Sequence, residues 1–239
     1  MLDNYIFTVT AGRSGQATLH NLLMKYSKSC ISAFEGPRVD DTTFSGFFGR
    51  VERGFRRQFF ETNELLGRGK VLVAYKQLNY NYIESIAKKR ISLIEKQASE
   101  QKINTYFDIS KFYARGLYVG FNKILESFSV VLLVRDPLLN MRSFLNRDKN
   151  FFLDNNSPNS ENNILKLEFS DLSKGELYLW AWSEMLLRYK KIIKSKKVKK
   201  YQIINTNDLL YPEKMSKLLK NLNVEHKNFN QIEKKNTNK

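Results

Sequence analysis

Four short, unbroken apolar runs set the main constraint on this chain: Tyr5–Thr10, Val71–Tyr75, Val130–Val134 and Tyr201–Ile204. Apolar residues follow one another in each run instead of alternating with polar ones, the pattern of strands covered on both faces. Cys30–Phe34 is a weaker fifth candidate. Helical patterns lie between the runs, over Thr18–Tyr26, Tyr82–Gln97, Phe112–Phe128, Leu138–Leu145, Glu176–Ile193 and Pro212–Leu222. In Glu176–Ile193, the residues Leu179, Trp182, Leu186, Tyr189 and Ile193 fall three and four apart and make one apolar stripe. Strand alternating with helix implies a parallel sheet with right-handed crossovers. The expectation is therefore a single α/β domain over residues 1–239, with a central parallel β-sheet flanked by helices in three layers. Ligands of such sheets collect beyond the C-terminal ends of the strands.

Two segments break this rhythm. Residues 36–69 mix Phe44, Phe47, Phe48, Phe55, Phe59 and Phe60 with Arg50, Arg53, Arg56 and Arg57, and residues 146–174 are polar and rich in Asn. Stretches of this length without regular structure point to a lid or binding loop. The tail from Glu225 to Lys239 is expected to fray.

Composition narrows the function classes. An apolar fraction of 42% supports a sizeable core. No run reaches the roughly 18 apolar residues that a membrane span needs. The N-terminal Met1-Leu2-Asp3-Asn4 has no basic stretch of signal-peptide type. The single cysteine, Cys30, excludes an internal disulfide and fits a reducing compartment, so a cytoplasmic location is expected. His20 and His226 are too few for a metal site, so no metal is expected. The net charge of +16 is uneven: Arg188–Lys239 holds 15 basic and 4 acidic residues, giving +11. Such a surface attracts polyanions in general.

Two segments carry anion chemistry. In Tyr5–Leu19 a strand runs into Ala11-Gly12-Arg13-Ser14-Gly15-Gln16-Ala17-Thr18, a Gly-containing turn that opens a helix. Glycine lets the backbone approach an anion, and the helix start offers unpaired N–H groups and partial positive charge. No Gly-Lys-Ser/Thr follows, so this is not a Walker A loop. In the second, Val130–Ser143, a strand ends at Arg135, Asp136 caps the next helix and Pro137 takes its first position. Ser143 lies two turns past the cap, roughly 10 Å along one face. An Arg and a hydroxyl so placed can clamp one anion.

Taken together, the order of these segments and the spacing from Arg135 to Ser143 resemble the sulfotransferase superfamily, nearer its Golgi-type or bacterial glycan and tyrosylprotein members. There an Arg/Lys-Ser-Gly-Thr-Thr turn holds the 5'-phosphosulfate of PAPS (3'-phosphoadenosine-5'-phosphosulfate), and an Arg-(Asp/Asn)-Pro-x5-Ser segment holds its 3'-phosphate. Arg13-Ser14-Gly15 matches the first and Arg135 with Ser143 the second. Lys70–Leu78 is similar to the family's third strand, Trp180–Tyr189 to its Trp-containing late helix, and Asn207-Asp208-Leu209 to its Glu-Asp-Leu segment. The family's Thr pair is replaced by Gln16 and Ala17, leaving Gln16 or Thr18 as side-chain donors.

The resemblance implies a nucleotide-binding, P-loop-NTPase-like three-layer architecture and PAPS as donor. The acceptor it implies is a hydroxyl or amine, expected on a glycan, small metabolite, lipid headgroup or peptide. It also implies a catalytic carboxylate near the second strand, here Glu35, and a Lys after the third strand facing the sulfuryl group, here Lys76. Glu35, 22 positions after Arg13, ends the weak strand Cys30–Phe34. Arg38 is a weaker candidate to orient it. Two rival readings are a nucleotide-dependent phosphotransferase and a basic polyanion- or nucleic-acid-binding protein. The first lacks the Walker A lysine. The second lacks a groove-reading motif.

Overall fold

The computed structural model describes residues 2–34, 46–59, 63–146, 158–168 and 171–229. Strand β1 (Asn4–Val9) leads through helix α1 (Gln16–Tyr26) to β2 (Cys30–Ala33). Helices α2 (Gly46–Phe59), α3 (Lys70–Lys76) and α4 (Tyr80–Gln101) precede β3 (Thr105–Asp108). A 3₁₀ turn at Tyr113–Arg115 and α5 (Leu117–Ile124) lead to β4 (Phe128–Val134), then α6 (Pro137–Leu145) and α7 (Lys174–Ile192). The chain closes with β5 (Val198–Asn205), a 3₁₀ turn at Thr206–Leu210 and α8 (Pro212–Asn221). All strand pairs are parallel, in the order β2-β3-β1-β4-β5. This is the expected parallel α/β sheet flanked by helices, although the edge strand β5 is not covered on both faces as its apolar run suggested: Tyr201 and Ile203 are exposed.

The two covers follow from strand alternation, since successive side chains point to opposite faces. Ile6, Phe107, Val131, Leu133 and Ile204 pack with Leu19 and Leu23 of α1 and Met215 and Leu219 of α8. Phe7, Val9, Tyr106, Val130 and Leu132 pack under α3, α4, α5 and α7, with Val71, Ile83, Phe121 and Met185 among their neighbours. Phe7 is the hub of the second core. Its ring stacks on Tyr113 at 4.5 Å and Phe121 at 4.7 Å and meets Tyr106 and Phe128 edge-on. Among the described residues no helix is long and apolar enough to cross a membrane.

The structure corrects four expectations. Val71–Tyr75 is helix, not strand: Val71, Leu72, Ala74 and Tyr75 are buried while Val73 is exposed, the one-sided burial of a helix. The strand position is filled by Thr105–Asp108, which pairs with both β1 and β2. The expected helix Phe112–Phe128 is a 3₁₀ turn, a break at Gly116 and the shorter α5, with Phe128 already in β4. Residues 36–69 contain the 14-residue helix α2. Lastly, Glu225–Phe229 is tied down: the Lys28 N–H donates to the Glu225 carbonyl, the Lys227 N–H to the Tyr26 carbonyl, and Phe229 lies against Tyr26.

The described part of the 146–174 segment is held by α7. Glu184, fully buried, accepts from the backbone of Ile164 and Leu165 and pairs with Arg188 at 2.7 Å. Arg188 donates in turn to Ala114 and Asn163. The most deeply buried face of α7 runs through Tyr178, Ala181, Met185, Tyr189 and Ile192, and of the stripe read from sequence only Tyr189 belongs to it. The polar pair rotated the helix, because a buried carboxylate needs its partners inside.

Candidate anion site at the ends of β1 and β4

The chain leaves β1 toward β2 on one side and leaves β4 toward β5 on the other, so the crevice between the C-terminal ends of β1 and β4 is the topological switch point of the sheet. The turn 10–15 fills it. Three of its residues have left-handed backbone: Gly12 (φ 94°), Arg13 (φ 61°) and Gly15 (φ 86°). Left-handed residues in a turn can bring backbone N–H groups toward one concavity, which suits an anion, although the Gly12 N–H is already engaged with Thr10 Oγ1 at 3.3 Å. Gly15 is the N-cap of α1 and supplies no side-chain cap, and the first turn of α1 has no acidic residue. A helix start without a side-chain cap or an acidic first turn suits an anion.

The turn is fixed from all sides. Tyr178 on α7 donates to the Gly12 carbonyl at 2.9 Å, and Ser14 Oγ donates to the same carbonyl at 3.2 Å. Asn140 Nδ2 on α6 donates to Ser14 Oγ at 3.0 Å. Thr206, just after β5, donates to the Ser14 carbonyl at 2.8 Å, and its methyl lies with Leu209 against Gly15. Gln16 Nε2 donates to the carbonyl of Ile109, just after β3, at 2.7 Å. Burial raises the Tyr178 pKa against the opposing pull of Arg115, Arg13 and Arg135, so the phenol keeps its proton and stays a donor.

Around this turn the fold gathers cations. Arg13 Nη2 donates to Ser143 Oγ at 3.3 Å, across 130 positions of sequence. Arg135 Nη1 donates to the Arg13 carbonyl at 3.3 Å, and Trp182 on α7 holds the Arg135 carbonyl at 3.2 Å. Asp136 caps α6 through the Leu139 N–H at 2.8 Å, with Pro137 at the helix start, so the Arg135-to-Ser143 geometry rests on the expected cap. From the other side, Arg115 Nη2 reaches the Ala11 carbonyl at 3.4 Å. The Lys111 chain passes close to Gly12, at 3.3 Å from where a Cβ would sit. Arg68, Lys111 and Arg115 all lie about the ring of Phe112. Such crowding of positive charge raises the local concentration of anions.

The structure thus unites Arg13, Ser14, Gly15, Arg135 and Ser143 in one place. It separates them by task. The Ser14 hydroxyl is engaged with Gly12 and Asn140 inside the fold, and the Gln16 side chain donates to Ile109. Ala17 and Thr18 lie in the first turn of α1. Lys76 ends α3 and not a strand, so the reason for placing it beside the anion falls. Glu35 and Arg38 lie outside the described residues. His20 is structural, its Nδ1 2.8 Å from Ser32 Oγ, and burial lowers its pKa. Cys30 is buried and burial pushes its thiol up to about 12, which removes it as a nucleophile.

Sequence reading missed Lys111, Arg115, Tyr178, Asn140 and Thr206. The first two follow from the misplaced third strand: with β3 at Thr105–Asp108, the segment after it becomes a strand exit and its cations become site candidates. Among the described residues no cluster of His, Cys, Asp or Glu could hold a metal ion. No family model matches the chain, and no curated protein matches it in sequence.

Proposed function

We propose that the protein is a sulfotransferase that takes the sulfuryl group of PAPS and passes it to a hydroxyl or amine of a polar acceptor such as a glycan. One observation carries this reading: a left-handed turn at the start of α1 shares its crevice with Arg13, Arg135 and Ser143, which come from two segments over 120 residues apart. A single phosphate would need only the turn. A second set of anion-binding groups beside it suits a donor with phosphate at both ends. The absence of a Gly-Lys-Ser/Thr sequence weighs against an ordinary nucleotide triphosphatase.

In this reading the turn and α1 hold the phosphosulfate, while Arg135 and Ser143 hold the 3'-phosphate. Arg13 stands between them. The cation first sought at Lys76 is better supplied by Lys111, whose chain lies along Gly12. Positive charge there stabilises the bridging oxygen as the sulfur–oxygen bond breaks. The acceptor oxygen attacks sulfur in line with that bond, Glu35 takes the acceptor proton, and adenosine 3',5'-bisphosphate departs with the electron pair.

The test is calorimetric. Adenosine 3',5'-bisphosphate should bind more tightly than AMP by about 1.5–3 kcal/mol, the usual worth of a charge-assisted clamp. Arg135→Ala should erase the difference. Equal affinity of the wild-type protein for both nucleotides overturns the assignment of Arg135 and Ser143.

A further inference from the structure

Strand β5 (Val198–Asn205) ends the sheet and pairs with β4 alone. An edge strand turns alternate N–H and C=O groups away from the sheet, a row that another strand can complete. Among the described residues, the one group outside β4 that bonds the backbone of residues 199–204 is the Tyr189 hydroxyl, which donates to the Gln202 carbonyl at 3.3 Å. Lys200 and Gln202 lie toward α8, bonded to Asn223 and Asn221. By alternation Lys199, Tyr201 and Ile203 lie on the other face. There Tyr201 is 56% exposed and Ile203 60%. An added strand would meet this apolar pair with every second side chain.

The approach to the edge is positive throughout. Lys194, Lys196, Lys197, Lys199 and Lys200 fall within seven residues with no acidic residue between them. Lys194, Lys196 and Lys199 are exposed. Lys197 and Lys200 donate to the Lys123 carbonyl and to the Asn223 side-chain oxygen, neutral partners that leave their charge in place. Among the described residues, no ion pair reaches any of the five.

These lysines select the occupant. A second copy would set the same lysines against each other across the new ladder, where like charges are destabilising. Nucleic acid would answer the lysines but has no backbone that completes a row of N–H and C=O groups. An extended polypeptide segment carrying Asp or Glu does both, and its apolar side chains would extend the surface of Tyr201 and Ile203.

We propose that the outer edge of β5 is a docking site for an acidic segment of a partner protein, added to the sheet as a sixth strand. The donor-binding reading concerns the C-terminal ends of β1 and β4, so the two can fail separately.

The probe is a fluorescein-labelled ten-residue peptide of alternating valine and glutamate, titrated with the full chain and followed by anisotropy. It should bind, and added salt should weaken the binding. Amide hydrogen exchange within residues 199–204 should slow about tenfold in the complex. Of two forms of the peptide, N-methylated at every valine or at every glutamate, the one whose methyl groups face β5 should bind about tenfold more weakly. In the variant carrying both Tyr201→Ser and Ile203→Ser, affinity for the unmodified peptide should also fall about tenfold. Both side chains are exposed, so circular dichroism and nucleotide affinity should match wild type. Failure of the wild-type protein to bind the peptide overturns the proposal, as does unchanged exchange in residues 199–204. Equal binding of both methylated forms and the parent peptide also overturns it, since charge alone would then hold them. Tighter binding of a ten-nucleotide oligo-dT that protects the same amides would assign the edge to nucleic acid. A fall in solution mass of the double variant without peptide would make it an interface between copies.

Discussion

Replacing Gly15 by alanine probes the turn more sharply than removing any charge, because the cost can be built up from geometry. Gly15 has φ 86°, a conformation that costs an L-residue roughly 1–2 kcal/mol. A Cβ there would also sit 3.0 Å from Leu209 Cδ1 and 3.0 Å from the Thr206 methyl. Both neighbours are pinned, Leu209 by burial in the α1–α8 core and Thr206 by its bonds to the Ser14 and Val134 carbonyls. Relief by a backbone shift adds about 1 kcal/mol, the lower end for overpacking. The total is about 2–3 kcal/mol, which for a chain of this size lowers the melting temperature by roughly 4–12 °C. Urea denaturation followed by circular dichroism measures the loss directly. Gly12→Ala is the internal comparison. Its φ of 94° carries the same backbone cost, but the nearest atom is the flexible Lys111 chain at 3.3 Å, so the loss should be smaller. Gly54→Ala, with no atom within 4 Å of the new methyl, should cost nothing. If Gly15→Ala melts within a degree of wild type, or if Gly12→Ala is the more damaging of the two, the turn does not have this conformation and the site built on it falls.

Two further outcomes follow from buried charge. Arg90→Met strands Asp108, which is fully buried and paired with Arg90 at 2.6 Å, and should cost about 3–5 kcal/mol in urea denaturation; burial raises the Asp108 pKa, so the loss should shrink as the pH is lowered. The His20 pKa lies below its ordinary 6.5 because the ring is half-buried, so the unfolded chain takes up the proton first: stability is complete above pH 6.5 and declines as the pH falls below it, and His20→Gln should flatten that decline.

The parallel sheet was legible because the central strands are continuous apolar runs, and the caps at Asp136 and Pro137 were legible because capping is local chemistry. What sequence could not arbitrate was Val71-Leu72-Val73-Ala74-Tyr75 against Thr105-Tyr106-Phe107-Asp108. A run of five apolar residues reads equally as strand or buried helix turn. The true strand looked too polar because it ends in a carboxylate, and that carboxylate is tolerable only with Arg90, 18 residues away in sequence. The site inherited the error: two cations after β3 went unseen, and one at the end of α3 was overvalued. Spacing and the resemblance singled out Arg135 with Ser143, but the contact of Ser143 with Arg13 was not legible, and neither were the tasks of Ser14 and Gln16, since the partners concerned are distant in sequence.

The bonds that hold the 10–15 turn come from the exits of β3, β4 and β5 and from α7, so no single strand exit can loosen without disturbing it. Its shape is therefore set when the sheet assembles and not when an anion arrives. An anion entering such a cradle loses its own freedom but orders no loop, so affinity there should depend little on conformational rearrangement. It also follows that the turn cannot act as its own gate: any control over access must come from elements that lie beyond this rigid knot.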